Sequence, residues 1–228
     1  MIDEEAYRKY LESFHASNKT NYWLESQKEL KKIQEKYTDR RPRLLLHVCC
    51  GPCAAWPLEF LQEHFDVTIM YNNSNIWPQS EYSKRLDTLK QLLELSGMNS
   101  IPIITTPYDN DAYNEKLAPY AEDPEGWTRC FLCYRLRMDE AYAYAEANGF
   151  DYFTTVMTIS RQKNSRKLNE IGLELQEKYP AVRWFPCDFK KKGGQVRRDE
   201  LVSQYCLYCQ DYCGCIYSYY ARHPEQKR

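Results

Sequence analysis

The stretch LLLHVCCGPCAAWPLEFLQEH, residues 44–64, decides the fold. Its first five residues are a short apolar run broken only by His47, the pattern of a strand buried on both faces. Residues 54–64 carry Ala, Trp, Leu and Phe among few charges, so a helix is expected directly behind that strand. The turn between them holds Cys49, Cys50, Gly51 and Cys53. His47 precedes the turn on the strand and reads as a core residue rather than a ligand.

Outward from this unit the alternation repeats. Residues 66–71 form a second strand, 81–95 a helix stopped by Gly97, and 101–105 a third strand. Residues 111–120 read as helix, ending before Pro124 and Gly126. Another helix opens near Cys130 and runs to Asn148 and Gly149, a good C-terminal stop. Residues 153–157 are a β-branched strand, 165–179 a helix closed by Pro180, and 182–185 a short strand. This order predicts an α/β fold: a Rossmann-like, doubly wound, mostly parallel sheet with helices on both faces. Its ligand crevice lies outside the carboxyl ends of the strands, which makes it cysteine-lined here.

Residues 4–10 and 21–37 are polar helical segments in which Tyr22, Trp23, Leu24, Leu30 and Ile33 are scattered among Lys and Glu. Arg40, Arg41 and Pro42 break that pattern. The expected organisation is a helical N-terminal extension over 1–42 and a catalytic α/β domain over 43–228 with a cysteine-rich C-terminal segment. Internal repeats and low-complexity linkers are absent from the sequence.

Ten cysteines fall in three clusters plus Cys187 alone: Cys49, Cys50 and Cys53; Cys130 and Cys133; Cys206, Cys209, Cys213 and Cys215. A disulfide framework belongs mostly to short secreted chains without a core, whereas 228 residues suffice for a full domain. Residues 1–10 are charged from the third position and no apolar stretch approaches a membrane span, so a cytoplasmic protein without membrane association is expected. Thiols in a reducing compartment stay free unless they bind metal or react.

The turn at residues 49–53 occupies the place of the phosphate loop in nucleotide-binding relatives of this topology. With Gly51 its only glycine, it lacks the backbone freedom to wrap a pyrophosphate. Cys130 and Cys133 open a helix, whose N-terminal partial positive charge favours thiolates. The C-x-x-C pairs 130/133 and 206/209 match zinc spacing in isolation. The vicinal Cys49 and Cys50 fit zinc poorly and suit neighbouring irons of one cubane. The vicinal pair together with one C-x-x-C pair supplies four thiolates, the simplest set for a 4Fe-4S cluster.

Charge is balanced, 31 basic against 32 acidic residues, so composition predicts no polyanion partner by itself. Lys190, Lys191, Lys192, Arg197 and Arg198 nonetheless gather around two glycines, which suits a mobile loop gripping phosphates and is equally compatible with a solvated loop.

HVCCGPC, YNNSNI, RCFLCYRLRM, FDYFTTVMTIS, DFKKKGG and YCGCIYS, in this order over about residues 43–220, resemble the epoxyqueuosine reductases of the QueH type. The resemblance implies a cobalamin-independent iron-sulfur oxidoreductase that reduces epoxyqueuosine to queuosine at the wobble base of tRNA. It implies Cys49, Cys50, Cys130 and Cys133 as cluster ligands, and points to Asp188 with Lys190 to Lys192 and to Tyr212, Cys213, Gly214 and Cys215. The basic run then becomes a tRNA contact. An external electron donor such as ferredoxin or flavodoxin is a further implied partner. The chain departs from the family pattern at Trp77, Cys206 and Cys209, and residues before about 43 extend beyond the family core.

Removing an epoxide oxygen to leave an alkene takes two electrons and two protons and expels water, while a cubane delivers one electron at a time. Cys53, Cys213 and Cys215 are the remaining thiols near the crevice. They suit a second, mononuclear iron acting as Lewis acid, the favoured reading, or a dithiol. Tyr212 or Asp188 could supply protons or serve only as structural hydrogen-bonding groups. Two other functions stay open. A tRNA-thiolating sulfurtransferase with an iron-sulfur cluster normally adenylates its base and needs a glycine-serine phosphate loop. A non-catalytic, zinc-stabilised RNA-binding module would use the C-x-x-C pairs for folding alone.

Overall fold

The structure, a computed structural model, describes residues 20–226. The helix expected at residues 4–10 lies outside the described residues.

Five parallel strands form the sheet in the order β3-β2-β1-β4-β5: β1 Arg43–His47, β2 Asp66–Tyr71, β3 Ile103–Thr105, β4 Tyr152–Thr155 and β5 Arg183–Trp184. β1 is central, pairing Leu44 with Val67 on one side and with Tyr152 on the other. Leu44, Leu45 and Leu46 are fully buried, as a strand covered on both faces requires. Strand order reverses at β1, so the crevice lies where the chain leaves β1 and β4.

The helices are α1 Tyr22–Lys36, α2 Gly51–Leu61, α3 Gln79–Leu95, α4 Asn110–Leu117, α5 Thr128–Ala147, α6 Ser165–Lys178, α7 Gly194–Gln204 and α8 Ile216–Arg222. α2 packs against α3 and α7, and α5 against α6, which gives the two helical layers. Gly51 opens α2 where a Cβ would come within 2.6 Å of the Thr88 carbonyl oxygen of α3. Only glycine lets those two backbones approach. α1 joins the same core through Leu30 and Ile33, and its buried Glu29 accepts hydrogen bonds from the Tyr152 hydroxyl and the Arg183 guanidinium.

Several boundaries differ from expectation for local reasons. β4 ends at Thr155 because that side chain accepts from the backbone N–H of Met157, starting a tight turn over Val156–Ile159. β3 begins at Ile103 because Pro102 has no N–H to give the ladder. The expected loop over the basic run is confined to residues up to Gly193; Gln195, Arg197 and Arg198 lie on α7. Among the described residues no helix is long and apolar enough to cross a membrane.

Candidate metal centre

The crevice is built from three buried polar anchors. Asn73, just beyond β2, donates to the Val48 carbonyl oxygen at 2.8 Å and fixes the chain as it enters Cys49. Its carbonyl oxygen faces Arg137 of α5 at 3.4 Å. Asn72 donates to the Arg137 carbonyl and to Glu140, tying α5 to the same corner. On the other side Arg85 of α3 donates to the carbonyls of Cys213 and Tyr212 at 3.0 and 3.3 Å, holding the C-terminal cysteine segment against the sheet. Gly214 there has φ +132°, and a Cβ would lie 2.9 Å from Arg85 Nη1, so this corner excludes side chains twice over.

Cys49, Cys50 and Cys53 converge, with all three sulfurs within 4.8 Å of one another and buried. Cys53 is thus drawn to the vicinal pair. Hydrogen bonds from Cys50 and Cys53 hold Cys49 well below the ordinary thiol range, while burial pushes Cys50 up to about 12. The hydrogen bonds to Cys49 and Cys50 push Cys53 upward. Gln210 donates to Cys50 Sγ at 3.3 Å.

Cys130, Cys133, Cys213 and Cys215 form the neighbouring group. Burial raises Cys130 to about 11, and the charges of Cys213 and Cys133 add to the rise; burial raises Cys215 to about 12, reinforced by Cys213, Cys133 and Cys130. The backbone N–H of Gly126 donates to Cys130 Sγ at 3.1 Å, and that of Ser218 to Cys215 Sγ at 3.5 Å.

Cations surround the thiols. Arg137 is 2 % exposed and, among the described residues, has no carboxylate partner; burial opposes its charge, but Cys133, Tyr113, Cys49 and Cys213 outweigh that and raise its pKa. Lys163, in the turn after β4, is held well above the usual range against burial by Cys213, Cys49, Tyr134 and Cys53. A cavity of about 160 Å³ opens at this point, lined among others by Cys53, Lys163, Gln195, Arg198, Gln210, Tyr212 and Cys213.

The other residues singled out from sequence occupy distinct places. Tyr212 lines the cavity, but its hydroxyl donates to the Trp77 carbonyl. Asp188 is buried and accepts from Ser165 Oγ at 3.0 Å, with Lys190 Nζ at 3.5 Å. Lys190 itself turns inward to the carbonyls of Thr158, Ser160 and Lys163. Arg197 forks onto Glu59 with two 2.9 Å contacts and also meets Glu200. Arg198 reaches the Pro52 carbonyl and Asp199. Lys191 and Lys192 are exposed. Cys206 and Cys209 are exposed as well, so the two C-x-x-C pairs are not equivalent. Cys187 and His47 are core residues: the thiol contacts Thr154 and Thr158 at 3.3 Å, and His47 Nδ1 meets Thr155 Oγ1 at 2.7 Å. Sequence reasoning missed Arg85, Arg137, Lys163 and Asn73. A lone Arg in an amphipathic helix carries no signal of its facing sulfur, although Asn73, within YNNSNI, and Arg137, within RCFLCYRLRM, lay in quoted motifs.

Comparison with known proteins agrees with the family resemblance. The family model described as epoxyqueuosine reductase QueH matches residues 44–221. The epoxyqueuosine reductase QueH of Streptococcus pyogenes serotype M1 is 36% identical over 211 residues, covering 91% of this chain and 82% of that protein. Its namesake in Staphylococcus aureus (strain Mu50) is 35% identical over 210 residues, covering 89% and 87%. The solved U34-tRNA thiolase NcsA from Methanococcus maripaludis with its [4Fe-4S] cluster aligns with a TM-score of 0.41 at 11% identity over 90% of this chain and 80% of that one, too distant a likeness to bear on function. With its family model spanning nearly all of the described chain and its relatives matched along most of their length, the chain belongs to the QueH family of epoxyqueuosine reductases.

Proposed function

We propose that this protein is an iron-sulfur-dependent, cobalamin-independent epoxyqueuosine reductase that acts in the cytoplasm on tRNA carrying epoxyqueuosine at the wobble position. The observation that carries the reading is the convergence of Cys49, Cys50 and Cys53 just after β1, beside a second group of Cys130, Cys133, Cys213 and Cys215 and a buried Arg137 that has no carboxylate partner among the described residues. Buried cations need compensating anions, and a thiolate-ligated iron-sulfur group is a net anion. N–H donors from Gly126, Ser218 and Gln210 to three of the sulfurs fit the same group, since such donors tune cluster thiolates. Cys49, Cys50, Cys130 and Cys133 are the four thiolates assigned to a 4Fe-4S cluster. Cys53, Cys213 and Cys215 are assigned to a second iron, although Cys53 lies with the vicinal pair and its variant is the one that can redraw this division.

When bound, the cofactor supplies electrons one at a time, drawn from an external donor of the ferredoxin or flavodoxin class. The chain's own residues do the rest. Gln195 and Gln210 offer amide groups at the cavity wall for a polar nucleobase. Lys191, Lys192 and Arg198 are assigned to tRNA phosphates, while Lys190 and Arg197 brace the surface that carries them. The Tyr212 hydroxyl and Asp188 carboxylate hold backbone and loop in register through the Trp77 carbonyl and Lys190. Deleting the gene tests the reading: tRNA nucleosides from that strain should contain epoxyqueuosine in place of queuosine, reversed by the wild-type gene and not by a Cys49→Ala copy.

A further inference from the structure

We propose that the ammonium group of Lys163 gives a proton to the oxygen leaving the substrate, and that the Asp188–Lys190 pair holds it in place. The inference rests on the reading that the substrate is an epoxide.

Lys163 stands in the wall of the crevice cavity together with Cys53 and Cys213. Among the described residues no carboxylate pairs with it, and the thiols that share its cavity wall are Cys53 and Cys213. The two acids suggested by sequence are otherwise engaged. The Tyr212 hydroxyl donates a hydrogen bond to the Trp77 carbonyl, and Asp188 sits outside the cavity wall, bound to Ser165 and Lys190. An ammonium without a carboxylate partner in the wall of a thiol-lined cavity is a proton source and a stabiliser of negative charge on oxygen.

The loop is built to aim it. Lys190 Nζ lies 2.9 Å from the Thr158 carbonyl oxygen, 3.4 Å from that of Ser160 and 3.3 Å from that of Lys163 itself. Asp188 compensates its charge at 3.5 Å, and the Lys163 N–H closes a turn onto the Ser160 carbonyl at 3.3 Å. A lysine that looks from sequence like a phosphate contact is therefore a positioning residue, fixing the backbone from which Lys163 projects.

The chemistry balances. Both C–O bonds of the epoxide break, a C=C bond forms, and the oxygen leaves as water after taking two electrons and two protons. The electrons come from a one-electron iron-sulfur or flavin donor protein. Lys163 supplies one proton, solvent supplies the other, and solvent reprotonates the amine.

The experiment compares iron-loaded wild type, K163M, K163A, K163R and K190M. K163M should keep wild-type iron, sulfide and visible spectrum, and its midpoint potential should fall, because losing a nearby cation disfavours reduction. Turnover should drop at least about 100-fold in K163M, the lower end for a lost general acid. Methylammonium should restore K163A in proportion to its concentration, K163R should keep a measurable rate, and K190M should lose rate without responding to the amine. Wild-type turnover in K163M, or a potential unchanged by it, overturns the proposal. Iron-loaded wild type that leaves the epoxide untouched fails at the substrate reading instead, and the K163M potential then still decides whether Lys163 faces the metal centre.

Discussion

Nη1 of Arg85 lies 3.0 Å from the carbonyl oxygen of Cys213, and its Nε lies 2.7 Å from Glu81 on the same helix. One buried guanidinium thus joins α3 to the last cysteine cluster. Glu81 also accepts from the Tyr208 hydroxyl, so the pair organises both ends of the segment. Arg85→Met leaves a buried carboxylate unpaired and should cost about 3–5 kcal/mol, the typical penalty for breaking a buried pair. Thermal unfolding should show a drop of roughly 10 °C. Hydrogen exchange should accelerate first over residues 206–215; uniform acceleration would place the weakness elsewhere.

Changing Cys49, Cys50, Cys130 or Cys133 singly to Ala should remove most bound iron and all turnover, whereas Cys187→Ser and Cys206→Ser should keep both. Iron and sulfide assays on anaerobically purified variants check this. A full complement of iron in two or more of the four would sink the four-thiolate assignment. Iron loss in Cys53→Ser as deep as in Cys49→Ser would move Cys53 into the cluster set, as the 4.8 Å grouping allows.

The fold was largely legible because residues 44–64 combine a buried strand, a turn and a helix with no competing pattern, and the later alternation repeats that unit. Strand ends were read less well. The turn at Val156–Ile159 depends on Thr155 accepting from Met157, a side-chain choice invisible to periodicity. α7 was hidden behind Gly193 and Gly194, whose loop signal masked the helical residues after them. The cysteines of the site were legible, since thiols at tight spacing have few other uses in a long chain. Their cationic surroundings were not. Arg85 and Lys163 are brought to the thiols from separate elements, a placement that no local motif encodes, whereas Arg137 stands one helical turn past Cys133 within RCFLCYRLRM.

Changing Lys191, Lys192 and Arg198 together to Gln should weaken tRNA binding and flatten its dependence on salt, because each lost phosphate contact releases fewer counterions. The log–log slope should fall by roughly two to three units. Binding titrations at several salt concentrations measure it. The same affinity and slope in the triple variant would reduce the run to a solvated surface.

Gly214→Ala should cost about 1–3 kcal/mol, since φ +132° is left to glycine and the added carbon meets Arg85 Nη1 at 2.9 Å. The iron assigned to Cys213 and Cys215 in the proposed function should fall with it. A variant as stable and as iron-rich as wild type would mean that the turn relaxes without disturbing the two thiols.

The central claim is that the cysteine crevice deoxygenates epoxyqueuosine. Its most direct test is anaerobic incubation of the iron-loaded protein and a low-potential one-electron reductant with tRNA carrying epoxyqueuosine, followed by mass analysis of the released nucleosides. The expected result is loss of one oxygen to give queuosine, dependent on Cys49 and Cys130. Unchanged epoxyqueuosine with a fully loaded, reduced metal centre, or equal conversion by Cys49→Ala and Cys130→Ala variants, would contradict it.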